Sequence, residues 1–148
     1  MVTQTLSLTG RALRLLSTRE HSRAELERKL AHFEEEAGQL AKVLDALAAK
    51  DFINDERVVE SVLHRRSAKL GALRIKQELQ SKGLAPQAVA QAMDALRGSE
   101  LERAREVWRK KFGQAPVDAA QRGKQMRFLA ARGFGGDTIR RVVSASDD

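Results

Sequence analysis

Apolar residues along the chain recur three and four positions apart, the period of a helix packed on one side. The pattern breaks and restarts in cycles. After a lead-in over residues 1–9, helical periodicity begins near Ala12 with Leu13 and Leu16. Ser22-Arg23-Ala24-Glu25 reads as a capping box, in which the serine hydroxyl accepts from the third helical N–H and the glutamate reaches back. Leu26 and Leu30 follow at i and i+4. Beyond the acidic run Glu34-Glu35-Glu36, the residues Leu40, Val43, Leu44 and Leu47 form an i, i+3, i+4, i+7 stripe. The spacing predicts three helices, closed by a turn near Lys50-Asp51.

The cycle then returns twice. A helix capped at Asn54 or Asp55 carries Val58, Val59, Val62 and Leu63, and Gly71 interrupts it. Ile75 and Leu79 lead to Lys82-Gly83-Leu84, where a left-handed glycine can close the helix. Pro86 suits the first position of the next helix, which shows Val89, Met93 and Leu96. The third cycle opens on a second capping-box pattern, Ser99-Glu100-Leu101-Glu102, and continues through Leu101, Ala104 and Trp108 to Phe112-Gly113. Met126 and Leu129 precede Arg132-Gly133-Phe134, an echo of residues 82–84, and Asp137 is placed to cap a last helix with Ile139, Val142 and Val143.

Superposing the cycles aligns Leu26, Leu79 and Leu129, separated by 53 and 50 residues. Leu79 to Met93 and Leu129 to Val143 both span 14 residues, whereas Leu26 to Leu44 spans 18. This reads as an insertion of four near Glu34–Glu36. Periods near 50 residues indicate modules stacked end to end. The expected architecture is all-α: three tandem three-helix repeats, over residues 1–53, 54–98 and 99–148, forming an elongated, curved modular array. No long apolar surface stripe demands a dimer, so a monomer is expected.

Composition supports helices and thin cores. Aromatic residues are 4% of the 148, with two prolines, one tryptophan and no tyrosine. The absence of cysteine removes disulfides, thiol chemistry and cysteine zinc sites. No signal-peptide h-region and no membrane-length apolar run occur, which predicts a soluble cytoplasmic protein. His21, His32 and His64 are not spaced to share a helical face as metal ligands, and Gly123-Lys124 lacks the rest of a phosphate-binding loop. No nucleophile has a base nearby in sequence. Neither a cofactor nor a metal is expected, and binding is favoured over catalysis.

Charge points to the partner. The net charge is +7, yet residues 1–50 carry 8 basic and 7 acidic side chains while residues 61–132 carry 16 and 6. Such a balance suits an acidic partner. Three clusters hold the excess: Arg65, Arg66 and Lys69 with Arg74 and Lys76; Arg109, Lys110 and Lys111; and Lys124, Arg127 and Arg132, with Arg140 and Arg141 beyond. All eleven residues from Arg65 to Arg132 are candidate contacts to phosphates or carboxylates. For Lys82 and Arg132, just before their glycines, complementing a helix dipole is an equally good reading.

Several segments carry a family resemblance. Ala12-Leu13-Arg14-Leu15-Leu16 with Ser22-Arg23-Ala24-Glu25-Leu26, Asp51-Phe52-Ile53-Asn54-Asp55-Glu56-Arg57, and Arg74-Ile75-Lys76-Gln77-Glu78-Leu79 with Lys82-Gly83-Leu84 resemble the RecX family of regulators of the RecA recombinase. So do Lys110-Lys111-Phe112-Gly113 and the stretch from Lys124 to Phe134. The resemblance implies three-helix repeats lying along the groove of the RecA–DNA filament, damping ATP hydrolysis, strand exchange and filament growth. It implies no catalytic residues. Val58-Val59 departs from the family's usual aromatic and small pair, and Leu70-Gly71-Ala72 from its basic glycine turn. A second reading, from charge and short helices alone, is a module that binds DNA directly and without sequence preference.

Overall fold

The computed structural model describes residues 6–145. Every regular element among them is helical: α1 Leu8–Thr18, α2 Arg23–Leu30, α3 Gln39–Ala49, α4 Asp55–Arg66, α5 Ala72–Ser81, α6 Pro86–Arg97, α7 Glu100–Lys111, α8 Ala119–Ala131 and α9 Gly136–Ala145, with a 3-10 turn at Ala31–Phe33. The expected all-α array is what forms. Its apolar residues gather in three separate cores. One is built around Ala12, Leu26, Leu30 and Leu44, the next around Val58, Val62, Ile75, Leu79 and Val89, and the last around Ala104, Leu129, Phe134, Ile139 and Val143. Splitting the core has a cost in exposed surface. The chain presents 9577 Å² to solvent, against the ~7,500 Å² of a compact monomer of this mass.

Local signals set most helix ends. Ser22 and Glu25 form the complete capping box, Asn54 caps α4, and Pro86 begins α6. Gly83 and Gly133 close α5 and α8 with φ of +69° and +93°. Other expectations fail for identifiable reasons. α1 starts at Leu8, capped by Ser7, and buries Leu8 and Ala12, so part of the lead-in is helix; residues 1–5 of it lie outside the described chain. Leu13 faces solvent. Ser99 makes no capping box, because α6 passes almost directly into α7 and holds Ser99 in a helical conformation. Its hydroxyl instead donates to Leu96 O and accepts from Arg103 Nε. Asp137 lies inside α9, not before it, and pairs with Arg140.

The repeat register also differs. Ser22 and Gly71 are the N-caps of α2 and α5, so Leu26 matches Ile75 and Leu30 matches Leu79. Leu30, Leu79 and Leu129 lie 49 and 50 residues apart, each 14 residues before Leu44, Met93 and Val143. The apparent insertion near Glu34–Glu36 is therefore a slip of one turn. Residues i and i+4 share a helix face, so periodicity alone cannot distinguish the two registers.

Successive repeats are joined in the same way twice. Ser22 Oγ donates to Lys82 O, and Arg28 Nη2 donates to Ser81 O at 2.7 Å. One repeat later, Gly71 N donates to Arg132 O at 2.8 Å, and Arg74 Nη1 donates to Ala131 O at 2.8 Å. In each joint the turn that closes a second helix meets the N-terminus of the second helix of the preceding repeat. A Cβ on Gly83 would lie 2.5 Å from Ala24 Cβ, and one on Gly133 would lie 2.6 Å from both Arg74 Cβ and Arg74 N. The first joint also buries a polar cluster. Glu25 accepts from Arg19 and from Ser22 N, with Lys82 3.7 Å away. Buried His21 sits between Arg19 O and Lys29 Nζ, each at 3.1 Å.

The joints generate two predictions. Gly38 also has a positive φ, of +86°, but a Cβ added there would meet nothing within 4 Å, so Gly38→Ala carries only the left-handed backbone penalty of ~1–2 kcal/mol. Gly133→Ala adds a collision with Arg74 and should cost ~2 kcal/mol more, read as a larger fall in urea midpoint. Equal losses would mean that the joint tolerates the side chain.

The second prediction concerns pH. Burial is the main cause that lowers the His21 pKa below its usual 6.5. The unfolded chain then takes up the proton first as pH falls through ~6.5, so stability declines there. For Glu25, burial opposes ionisation, but the Arg19 and Ser22 hydrogen bonds and the Lys82 charge outweigh it and hold the pKa at about 2. That contribution is present above ~4.5 and is lost as pH falls towards 2. Melting temperatures measured from pH 8 to 3 should show both declines, and His21→Gln should abolish the upper one.

Candidate functional site

The cations proposed as contacts fall into two groups by what they touch. Arg65 and Arg66, at the end of α4, both reach Glu78, at 3.5 and 3.0 Å. Lys69 lies beyond α4, in the turn before Gly71, and not on the helix itself. Arg74 and Arg132 are committed to the second joint: Arg74 through its guanidinium, and Arg132 through its carbonyl. The Arg132 guanidinium lies 4.9 Å from the centre of the Phe128 ring, and Lys111 Nζ lies 5.4 Å from the same ring. Arg109 pairs with Glu106 three residues earlier, at 2.8 Å.

Lys69, Lys76, Lys110, Lys124 and Arg127 are exposed and make no ion pair among the described residues. These five keep their full charge for a partner. Arg66 and Arg74 also line one cleft of about 330 Å³ with Leu70, Gln77, Glu78 and Ser81, whereas Lys76 lines a different one with Pro86, Val89 and Met93 of α6. Lys110 and Lys111 close α7, while Lys124 and Arg127 stand one turn apart on α8.

In the first repeat Arg14, Lys42 and Lys50 are exposed and outside any ion pair among the described residues, while other cations are occupied. Arg19 holds Glu25, Arg23 bridges Glu27 and Asp45, and Arg28 crosses the first joint. Arg57, at the start of α4, grips Glu20 and Asp51 at 3.0 and 2.8 Å.

Charge counting misses two positions that matter for shape. Arg103 spans the second joint, donating from Nη1 to Ser67 O at 2.8 Å and Leu70 O at 2.7 Å. Burial lowers its pKa, partly offset by Glu100, and Nη2 has no partner. Gln125 is buried beside Trp108, whose Nε1 donates to Gln125 Oε1 at 2.8 Å. The signal for the second is the repeat register, which aligns Gln125 with the core residues Leu26 and Ile75. Nothing local marks Arg103 among the sixteen basic residues of 61–132. Among the described residues no group of three or more His, Asp or Glu is placed to hold a metal, and no helix is long and apolar enough to cross a membrane.

Comparison with known proteins agrees with this geometry. Residues 54–93 match the family model of the RecX second three-helix domain, and residues 99–143 match that of the third. The regulatory protein RecX of Leptothrix cholodnii is 51% identical over 142 residues, covering 96% of this chain and 90% of the relative. That of Ralstonia nicotianae is 43% identical over 144 residues, covering 97% and 91%. The crystal structure of RecX from Lactobacillus salivarius superposes with a TM-score of 0.78 at 22% identity, over 95% of this chain and 94% of that one. With matching domains over its second and third helix triplets and relatives this similar along nearly its whole length, the chain belongs to the RecX family.

Proposed function

We propose that this protein regulates a RecA recombinase in the cytoplasm by lying along the groove of the RecA–DNA filament. There it acts mainly as a brake on ATP hydrolysis, strand exchange and filament growth during recombination and repair. It works by binding, and catalyses nothing itself. The observation that carries this reading is the set of exposed cations without carboxylate partners, Lys69, Lys76, Lys110, Lys124 and Arg127, on the second and third helix triplets. A polyanionic filament is the kind of surface such a stripe complements. The family name of its relatives, regulatory protein RecX, supports the same reading. Non-specific DNA binding remains the alternative, because unpaired lysines suit phosphates equally well.

The test compares binding to bare single-stranded DNA with binding to a RecA-coated strand. Lys110→Ala, Lys111→Ala and Arg127→Ala combined should weaken filament binding roughly tenfold, the ~1.4 kcal/mol that three exposed charge contacts supply. Arg65→Ala, Arg66→Ala and Lys69→Ala combined should cost less, since two of these are already engaged by Glu78. Arg14, Lys42 and Lys50 provide the control, being exposed and outside any ion pair among the described residues. A control set that costs more than either cluster overturns the assignment. Equal affinity for bare and coated strands favours direct DNA binding.

A further inference from the structure

Gln125 stands where the other two repeats place Leu26 and Ile75, four residues before the shared leucine, and it is only 5% exposed. An amide in an aliphatic slot is costly unless hydrogen-bonded. Here Oε1 accepts from Trp108 Nε1, and Nε2 donates to Gln114 O at 3.0 Å. A primary amide offers two N–H donors and two acceptor lone pairs, so one of each remains. The same side chain lines a cavity of about 300 Å³, shared with Phe112, Gln114, Val117, Gln121 and Lys124. The third repeat has thus exchanged a core aliphatic for a polar group at the floor of a hollow.

We propose that this hollow, at the elbow between α7 and α8, seats one unpaired base of a single-stranded nucleic acid. Its parts match that ligand separately. Phe112 supplies an aromatic wall for a base face, the usual platform in sequence-tolerant single-strand binding. Gln121 Oε1 accepts from Val117 N at 3.0 Å, so its Nε2 and the spare donor and acceptor of Gln125 are what the two amides offer to the heteroatoms on a base edge, as single-strand readers do. Lys124 stands at the rim with an ammonium for a phosphate, and Lys110, Lys111 and Arg127 lie on the same two helices for its neighbours. The volume is at the small end of the ~300–1,000 Å³ of ligand sites, which suits one heterocycle.

Other occupants fit less well. An acidic peptide would use the lysines but leave the amide floor and the aromatic wall without a role. A duplex keeps its bases stacked and offers no face to Phe112. A free nucleotide fills the hollow but leaves the cations beyond Lys124 unused, so it binds more weakly than a strand. The site does not depend on the recombinase reading and is tested without any recombinase.

Trp108 is the sole tryptophan and is bonded to the floor of the site, so its fluorescence reports occupancy. The full-length chain is titrated with an oligothymidylate, with a duplex of equal length and with thymidine monophosphate. The single strand should shift Trp108 emission to saturation. The duplex should bind at low salt without that shift, and the mononucleotide should need at least a hundredfold higher concentration.

Gln125→Leu restores the aliphatic residue of the other repeats and should fold. By anisotropy of a labelled strand it should lose roughly tenfold in affinity with an unchanged salt slope. Lys124→Ala should instead flatten that slope by ~0.7. If Gln125→Leu loses helix by circular dichroism, Phe112→Leu is the deciding variant, with the same tenfold loss expected. The proposal is overturned by a strand that binds without moving Trp108 emission, by a duplex that moves it equally, or by a folded Gln125→Leu or Phe112→Leu protein that holds the strand as tightly as the parent.

Discussion

At each joint a helix-closing turn comes within van der Waals contact of the helix in the preceding repeat, and the approach depends on a glycine in that turn. Gly83 and Gly133 serve two purposes at once. Their positive φ values close α5 and α8, and their missing side chains let Ala24 and Arg74 approach. The gain is in hydrogen bonding, because the last carbonyls of a helix have no partners inside it. Ser81, Lys82, Ala131 and Arg132 all give their carbonyls to donors of the preceding repeat. Three cores, each too thin to be secure alone, become one protein by sharing helix termini.

What could be read in the sequence was whatever depends on neighbours within about four positions. The Ser22 capping box, the Asn54 cap, Pro86 and the two closing glycines were all legible for this reason. Ser99 shows the limit of such signals. Its motif matches that of Ser22, but capping needs an extended backbone at the cap, and the short passage from α6 to α7 does not supply one. The repeat register failed differently, since a one-turn slip leaves the apolar face unchanged. Only the positions of Ser22 and Gly71 at their helix starts separate the two registers, and glycine is not among the side chains that cap a helix through an oxygen.

The candidate site was legible in composition but not in detail. Counting charges locates the excess in residues 61–132, where Lys69, Lys76, Lys110 and Lys124 make no ion pair among the described residues, although Lys42 and Lys50 of the first repeat make none either. Counting cannot tell a cation that waits for a partner from one already spent. Arg103 meets carbonyls 33 and 36 residues away, and Arg74 meets one 57 residues away. Each is as basic in sequence as Lys110. Gln125 was invisible for a related reason: a glutamine on a charged helix looks like surface until the register shows that it occupies a core position.

The two positions that make each joint take other forms in the third and first repeats. In the third repeat the position matching Ser22 and Gly71 is Gln121, four residues before Gln125. There α8 begins earlier, so Gln121 already lies inside the helix, and its N–H is taken by the Asp118 carboxylate at 2.8 Å. At the opposite end, the position matching Gly83 and Gly133 is Glu34, with φ of −71°. It carries a side chain where both joints need none, and its carboxylate accepts from Gly38 N at 2.8 Å. Glu35 and Glu36 add charge beside it. Gln121 thus lacks the extended cap that Ser22 and Gly71 supply, and Glu34 fills the gap that glycine leaves in both joints.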